Sequence, residues 1–434
     1  MNRKLQFFVT VVSLMLVGVL LLGAANKGTS SPEETYRHIG VFAEVLSKIK
    51  SDYVEEPDLK NVSLGAMNGL LESLDPYASY LSADQYKQYQ KTKSEAKGWT
   101  GLLLAKRFGY IAIIDSVPGS PANKAGLSTG DMLETIQGVN TRDMPLAYAE
   151  MMLLGDIGTT VDLGVLRFRN PEPTRMAIVR GPIQWPAISS KMMSDGIGYV
   201  QVPTLEGKRV SEVAAAVQAI EKQGAKKIVL DLRNCASGAP ENGIALANLF
   251  VDKGRLGYSS GQKSPRQEYT AEPAKAVTKL PLTIMTNRGT AGAAEIAAGA
   301  FYDLKRGEIV GERTYADAGI RKPIVLDDGS AVILSVAKFY NAEDKALQEV
   351  AVQPSAPVVD NDPADTGEEG AEDAPKKEEK PQSTEDAILK KALEVAVKGL
   401  TPEEAKNAET IRALGKKKAE DGTGLGPLNI PTRK

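Results

Sequence analysis

The sequence predicts a multidomain α+β protein, because the pattern of its 434 residues changes three times along the chain. Apolar residues first recur at helical spacing. Short apolar runs separated by glycines follow, and from Gly196 strands alternate with helices. The 42% hydrophobic content is enough for two or three separate cores. After Val359 the composition becomes acidic and proline-rich, which is typical of a disordered linker.

The composition excludes several classes of function. Lysine and arginine number 53 against 55 acidic residues, so no basic field indicates a nucleic-acid partner. Cys235 and His38 are the only residues of their types, which excludes an internal disulfide and a Cys/His metal site. No metal or nucleotide motif is present, so we expect no cofactor. A Ser-His-Asp triad would need His38, which lies in a helical N-terminal segment far from any candidate nucleophile.

Residues 1–25 have the pattern of a signal peptide or a membrane anchor. Arg3 and Lys4 precede an apolar run from Leu5 to Leu22, and small residues follow it. The run is also long enough to cross a bilayer uncleaved, so both alternatives stay open. The basic N-terminal flank places the remainder of the chain outside the cytoplasm.

Residues 31–96 are predicted to be helical. Ser31 and Pro32 are typical of a helix start, and apolar residues then recur at helical spacing as far as Tyr53. A second helix is expected from about Ser63, and a third from Ser82.

Residues 97–182 are expected to form a small β-domain. Strands are predicted around residues 111–114 and 161–168, and a short helix over residues 145–154. Between the strands, residues 120–140 read SPANKAGLSTGDMLETIQGVN, which resembles the pattern of a PDZ domain. The resemblance implies that a peptide is added as a strand to the edge of a sheet, with its terminal carboxylate held by backbone N–H groups.

The same resemblance assigns the peptide-binding residues. The carboxylate loop would be Gly101, Leu102, Leu103 and Leu104, and the wall of the groove would include Tyr148 and Met152. Alternatively these leucines belong to the core. Both interpretations can hold, because alternate residues of a strand point to opposite faces.

Residues 183–357 are predicted to be an α/β core. A fully apolar strand over residues 228–232, apart from Asp231, is typical of a covered parallel sheet. The segment over residues 358–387 is the expected linker. Residues 388–414 are expected to be helical and 415–434 disordered. The amphipathic helix over residues 388–400 is expected to mediate oligomerisation.

Four motifs in order resemble the C-terminal processing peptidases, or tail-specific proteases. They are residues 74–77 (LDPY), 231–234 (DLRN), 287–296 (NRGTAGAAEI) and 311–314 (GERT). The resemblance covers residues 36–354 and implies a crotonase-like core of ββα layers. It also implies cleavage by a serine nucleophile with a lysine base and an assisting glutamine, in the bacterial periplasm or cell envelope, secreted or anchored to the inner membrane.

The sequence departs from this family at all three catalytic positions. By the family's spacing, Gly292 stands where the serine belongs, Asp317 where the lysine belongs and Arg321 where the glutamine belongs. The oxyanion region corresponds to Ser237, Gly238 and Ala293, in a loop that also departs from the family's Asn-Pro-Gly-Gly. No catalytic residue is therefore expected.

Other residues are poor substitutes for the missing nucleophile. Thr290 is expected to hydrogen-bond within its turn, Ser237 has no obvious base, and an unpaired cysteine such as Cys235 is usually an inert apolar residue. Asp317 and Arg321 are hypothesised to form an ion pair where the dyad once stood; alternatively both face solvent.

Two functions remain to be compared. The first is a pseudopeptidase that binds peptide or protein C-termini and acts as a scaffold or regulator of envelope proteolysis. Its partners would be a second copy or an active peptidase relative, with the membrane as a further contact if the anchor is uncleaved. The second is an active serine endopeptidase that processes periplasmic proteins from their C-termini.

Overall fold

The computed structural model describes residues 32–107, 109–142, 144–167, 170–358 and 386–410. The chain divides into two compact units, Met1–Ser63 and Leu64–Lys434. In the first, helix α1 (Pro32–Asp52) has the predicted helical spacing, although its apolar residues Tyr36, Ile39 and Phe42 are exposed. Helix α2 (Leu59–Glu72) begins in the first unit and ends in the second.

The predicted signal peptide or anchor and the Ser31 cap lie outside the described residues. Within the part of the chain that the structure describes, no helix combines the length and the apolar character that a bilayer crossing requires.

The N-terminal part of the second unit contains β1 (Ser79–Leu81), α3 (Ala83–Glu95) and β2 (Gly98–Trp99). Helix α3 begins at the predicted residue, because Ser82 and Gln85 form a capping box. The Gln85 backbone N–H donates to Ser82 Oγ over 3.4 Å, and the Ser82 backbone N–H donates to Gln85 Oε1 over 3.0 Å.

An antiparallel sheet with the strand order β3-β4-β5-β8-β9 follows, and β6 pairs with β5. Strand β3 is an edge strand, and helix α5 packs against it. The core of this sheet is apolar, with Ile111, Leu133 and Val161 fully buried. Its elements and the two short strands beside it are β3 (Leu102–Arg107), β4 (Tyr110–Ser116), α4 (Pro121–Lys124), β5 (Met132–Ile136), β6 (Val139–Asn140), α5 (Leu146–Leu153), β7 (Leu154–Gly155), β8 (Thr160–Arg167), β9 (Asn170–Val179) and β10 (Gly181–Pro182).

The remaining chain forms the predicted alternation of strands and helices. A six-stranded sheet has the order β11-β12-β13-β16-β17-β20, parallel except for β11. Its elements and those inserted among them are β11 (Ser189–Met192), β12 (Ile197–Gln201), α6 (Arg209–Lys222), β13 (Lys227–Asp231), α7 (Pro240–Phe250), β14 (Arg255–Ser260), β15 (Gln267–Thr270), β16 (Leu282–Thr286), α8 (Ala293–Asp303), β17 (Gly307–Gly311), β18 (Gly319–Val325), β19 (Ala331–Tyr340), α9 (Leu347–Val350), β20 (Ala356–Pro357) and α10 (Ala387–Lys398).

The hairpin β18–β19 lies within the region predicted to be an α/β core but does not belong to its parallel sheet. It forms a separate antiparallel sheet with β1, β14 and β15. Strand β1 joins this sheet through the pairing of Ser79 with Ile333, across more than 250 residues of chain. Sequence periodicity identifies a strand but not its distant partner, so this pairing could not be predicted from the sequence.

Helix α10 covers one face of the parallel sheet. Ile388 and Ala392 are fully buried and Val395 is 4% exposed, against a cluster that includes Tyr199 and Met285. The apolar stripe that was predicted to mediate oligomerisation is therefore used within the chain, and that prediction needs correction. Since both faces of the parallel strands are now covered, their continuous apolar sequence is explained.

Candidate functional site

Gly292 occupies a sharp turn between β16 and α8. Its backbone angles, φ 56° and ψ −120°, lie in a region that side-chain-bearing residues rarely adopt. The Gly292 carbonyl accepts from the Ile296 N–H over 3.0 Å, so the helix begins immediately after the turn. A Cβ placed here would lie 3.8 Å from the Asp317 carbonyl oxygen and 4.0 Å from that of Ala236. The turn therefore has space for a side chain, but a residue that carries one would have a strained backbone at this position.

The loop before Gly292 is fixed by buried hydrogen bonds. Thr290 is fully buried, and its hydroxyl donates to the Leu232 carbonyl over 2.8 Å while accepting from the Asn287 N–H over 3.1 Å. Asn287 Nδ2 donates to Asn234 Oδ1 over 2.7 Å. Thr290 is thus a turn residue, as predicted, and its hydroxyl is not available to attack a substrate.

The predicted oxyanion residues lie on two adjoining segments. Ser237 is 8% exposed, and its hydroxyl shares a 2.8 Å hydrogen bond with that of Thr204. Gly238 has φ 124°, and a Cβ there would come within 2.7 Å of Leu205 Cβ, so only glycine fits. Ala293 is the first residue of α8 and is 1% exposed.

Cys235 is fully buried and lies between the end of β13 and Ser237. Burial, followed by the carboxylates of Asp115 and Asp231, raises the pKa of its thiol above the usual range. His38 is exposed on α1 in the other unit of the chain. A thiol held protonated is a poor nucleophile, so the surroundings of Cys235 do not favour attack on a substrate.

Asp317 and Arg321 form the hypothesised ion pair, through Asp317 Oδ1 and Arg321 Nη2. Their side chains are 16% and 27% exposed, so the pair is largely withdrawn from solvent. The Arg321 guanidinium also lies over the ring of Tyr77, 3.8 Å from its centroid. Although burial opposes its charge, Asp317 keeps the pKa of Arg321 above its ordinary value.

Glu295 holds the Asp317 turn against the start of α8. Its fully buried carboxylate accepts from the Thr314 hydroxyl and from the N–H groups of Ala316 and Asp317, each of the latter over 2.8 Å. Burial raises its pKa to about 8, and these hydrogen bonds oppose the rise. The Gly292 N–H also donates to the Asp317 carbonyl over 2.8 Å. Of the three positions predicted from the family's spacing, Gly292 and Asp317 are therefore neighbours in space, and Arg321 contacts Asp317.

Comparison with known proteins places this arrangement in a family. Residues 196–358 match Peptidase family S41. The carboxy-terminal processing protease CtpA of Bacillus subtilis (strain 168) is 30% identical over 364 residues, which cover 82% of this chain and 77% of that relative. The carboxy-terminal-processing protease of Bartonella bacilliformis is 28% identical over 359 residues, which cover 82% of each. The chain belongs to the family of carboxy-terminal processing proteases.

The same family supplies a structural match. The photosystem II D1 C-terminal processing protease superposes with a TM-score of 0.62, over 73% of this chain and 92% of that one, at 24% identity. This similarity shows the mixed α/β fold alone. The family assignment made from the four motifs is confirmed by the sequence relatives.

The residues predicted to bind peptide lie at the edge of the antiparallel sheet. Gly101 precedes β3 with φ 90°, and a Cβ there would overlap Ser120, so the position requires glycine. Leu102 and Leu104 are 5% and 6% exposed and belong to the core, whereas Leu103 is half-buried. On α5, the half-buried side chains of Tyr148 and Met152 pack against the same core. Two of the leucines therefore serve the core, whereas the free edge of β3 faces α5.

Sequence reasoning did not identify two residues of the site. Tyr77 belongs to the LDPY motif, but its contact with Arg321 joins segments separated by more than 240 residues. Glu295 belongs to the motif over residues 287–296, but the motif does not show that its carboxylate fixes the Asp317 turn. A glutamate among alanines in an otherwise apolar helix start was the available signal, since a buried carboxylate needs hydrogen-bond partners.

Arg321→Ala is expected to lower the free energy of unfolding by about 3 kcal/mol, because Asp317 would remain largely buried without its partner. Urea denaturation of Arg321→Ala, Asp317→Ala and the double variant measures this. The double variant should lose less than the sum of the two single variants. Additive losses would mean that the two charges do not interact.

Proposed function

We propose that this protein is a catalytically inactive carboxy-terminal processing protease that binds the C-termini of peptides or proteins. The observation that carries the proposal is Gly292 at the position of the family's nucleophile. Glycine has no side chain, so no acyl-enzyme can form there.

The neighbouring substitutions support the same conclusion. A general base must accept a proton from the nucleophile, and the family's base is a lysine. Here Asp317 occupies that position and is paired with Arg321. An arginine stays protonated in proteins, so it cannot serve as the base. The site has thus lost both partners of the proton transfer, and an ion pair stands in their place.

Peptide binding does not depend on the missing groups. We assign residues 97–182 to a PDZ domain in which β3 offers a free strand edge beside α5, as strand addition requires. The backbone after Gly101 would receive the terminal carboxylate, and Tyr148 and Met152 would contact the apolar side chains of the peptide. Ground-state affinity is independent of a nucleophile, so such binding survives the loss of catalysis.

The alternative function is an active serine endopeptidase, which membership of the family favours. It would require a nucleophile other than the residue at position 292. The hydroxyls of Thr290 and Ser237 are both engaged in buried hydrogen bonds, and the Cys235 thiol is buried with a raised pKa. These contacts favour the inactive protein.

We place the protein in the bacterial periplasm or cell envelope. The support is the basic and apolar pattern of residues 1–25 together with the membership of a processing-protease family. In that compartment a binding protein of this kind would act as a scaffold or as a regulator of an active relative.

The experiment is a binding measurement on the purified protein with a fluorescent decapeptide whose C-terminus is apolar. The peptide with a free carboxylate should bind at least about tenfold more tightly than its C-terminal amide, because the amide lacks charge-assisted hydrogen bonds. Mass spectrometry of the recovered peptide should show no cleavage. Equal affinity of acid and amide would refute carboxylate capture, and cleaved peptide would support the alternative function.

A pair of variants locates the binding site. Met152→Ala should weaken binding of the free acid about fivefold, because it removes apolar contact in the groove. Val179→Ala is the matched control, because Val179 is 53% exposed on β9, at the opposite edge of the same sheet. Equal effects of the two substitutions would place the peptide elsewhere.

A further inference from the structure

A cavity of about 1080 Å³ lies between the antiparallel sheet and the loops at the carboxyl ends of three parallel strands. Residues from β4 and β8 form one wall. Asn234, Asn287 and Glu312, which follow β13, β16 and β17, form the other. Gly292 and the predicted peptide-binding residues do not line it. The volume is within the range that proteins use for small molecules or several residues of a peptide.

Asp115 lines this cavity near the end of β4 and is only 3% exposed. Among the described residues, no lysine or arginine is close enough to lower the pKa of its carboxyl group. Burial raises this pKa to about 7, and the hydrogen bond from the Ser116 backbone N–H opposes the rise. A carboxylate withdrawn from water without a cationic partner is costly, and a group of this kind that faces a cavity is a candidate binding residue.

Several other charged groups on the walls have partners. Arg167 pairs with Asp131 over 3.4 Å, and Lys338 pairs with Glu349 over 2.6 Å. Arg107 and Arg288 also line the cavity and make interactions of their own. Asp115 is thus a buried acid on these walls whose charge is not balanced by the protein.

We propose that this cavity binds an organic cation, an ammonium or guanidinium group, with Asp115 as its counter-charge. A cationic N–H donor would give the carboxylate a charge-assisted hydrogen bond in a site of low dielectric constant, where such bonds are strong. The cation comes either from a basic side chain of a bound polypeptide or from a free amine. The site is separate from the carboxylate loop at Gly101, and its use is independent of whether the protein cleaves peptides.

The test is a calorimetric titration of the full-length protein at pH 8 with three probes. The first is the doubly blocked peptide acetyl-Ala-Ala-Lys-Ala-Ala-amide, whose amidated end avoids carboxylate capture. The second has norleucine in place of lysine, which removes only the ammonium group, and the third is butylamine. We expect the lysine peptide to bind at least about tenfold more tightly than the norleucine peptide.

Variants assign the effect to Asp115. Asp115→Asn should remove the preference for lysine while keeping the shape of the side chain. Glu349→Gln, which changes another acid that lines the cavity, should leave the preference intact because Glu349 already pairs with Lys338. Tighter binding of butylamine than of the lysine peptide, lost in Asp115→Asn, would identify a free amine as the ligand. No preference for the charged probes, or a preference unchanged in Asp115→Asn, would overturn the proposal.

Discussion

Replacing Gly292 by Ser, Asp317 by Lys and Arg321 by Gln in one variant is expected to produce a peptidase. The variant should cleave an unfolded protein with an apolar C-terminus at least about a hundredfold faster than the native protein's background, because it regains both a nucleophile and a base. The turn geometry supports the expectation. The nearest atoms to a Cβ at position 292 are 3.8 Å away, and the Asp317 turn is fixed beside it by Glu295.

The three changes are expected to work only together. A serine at φ 56° costs about 1–3 kcal/mol of backbone strain, so Gly292→Ser alone should lower stability without giving activity. A lysine at position 317 next to Arg321 would place two like charges in a largely buried site, so the arginine must be replaced with it. Burial should then lower the pKa of the lysine, as its role as a base requires.

The matched controls each lack one part. Gly292→Ser with Arg321→Gln retains Asp317 and so has no lysine base, and Asp317→Lys with Arg321→Gln has no nucleophile. Both should stay at background while the triple variant cleaves. If the triple variant folds, as circular dichroism would show, and still does not cleave, the missing residues are not the sole reason for inactivity.

Removing residues 386–434 is expected to unfold most of the chain. Helix α10 buries Ile388, Ala392 and Val395 against the parallel sheet, and its loss would expose apolar residues on both sides of that contact. At about 1.5–3 kcal/mol for each buried large aliphatic side chain, Ile388 and Val395 alone account for about 3–6 kcal/mol, which is comparable to the stability of a marginally stable domain. Circular dichroism and a thermal scan of the truncated protein measure it.

Two substitutions in full-length protein test the same contact without removing the helix. Ile388→Ala should cost about 2–5 kcal/mol, because it leaves a cavity in the core. Val397→Ala is the control, since Val397 lies on the same helix with 42% exposure, and it should cost less than about 1 kcal/mol. Similar losses of stability from the two substitutions would mean that the burial of Ile388 against the sheet does not stabilise the protein.

Hydrogen bonds of Asp386 fix the start of α10 against the parallel sheet. Asp386 caps α10 by accepting from the Leu389 N–H, and its carboxylate receives two hydrogen bonds of 2.9 Å from the Arg233 guanidinium. Arg233 also pairs with Asp231 at the end of β13. The helix start is therefore tied to the strand end that carries the family's DLRN motif.

The alternation of strands and helices could be predicted from sequence because each element has a local pattern. The apolar strand β13, predicted over residues 228–232, covers Lys227–Asp231 and so differs by one residue at each end. The short strands β14 and β15 were not predicted, because their sequences, RLGYSS and QEYT, contain few apolar residues. Pairing of β14 with the distant β19, and of β15 with β14, gives them their structure, and no local pattern reports it.

The candidate site was predictable in its residues but not in its contacts. Family spacing led to Gly292, Asp317 and Arg321, and an acid at the lysine position together with a base at the glutamine position suggested the ion pair. The stacking of Arg321 on Tyr77 depends on a distant segment. Asp115 gave no signal, because an acid at the end of a strand becomes unusual only when the fold buries it against a cavity.

The central claim is that the native protein cuts no peptide bond. The most direct measurement is the intact mass of an unfolded protein with an apolar C-terminus after prolonged incubation with the native protein, with the protease CtpA of Bacillus subtilis as the positive control. We expect the mass to stay unchanged with the native protein and to fall with the control. Truncated products that persist in Thr290→Val and Ser237→Ala variants would rule out those two hydroxyls, contradict the claim and require a nucleophile elsewhere in the chain.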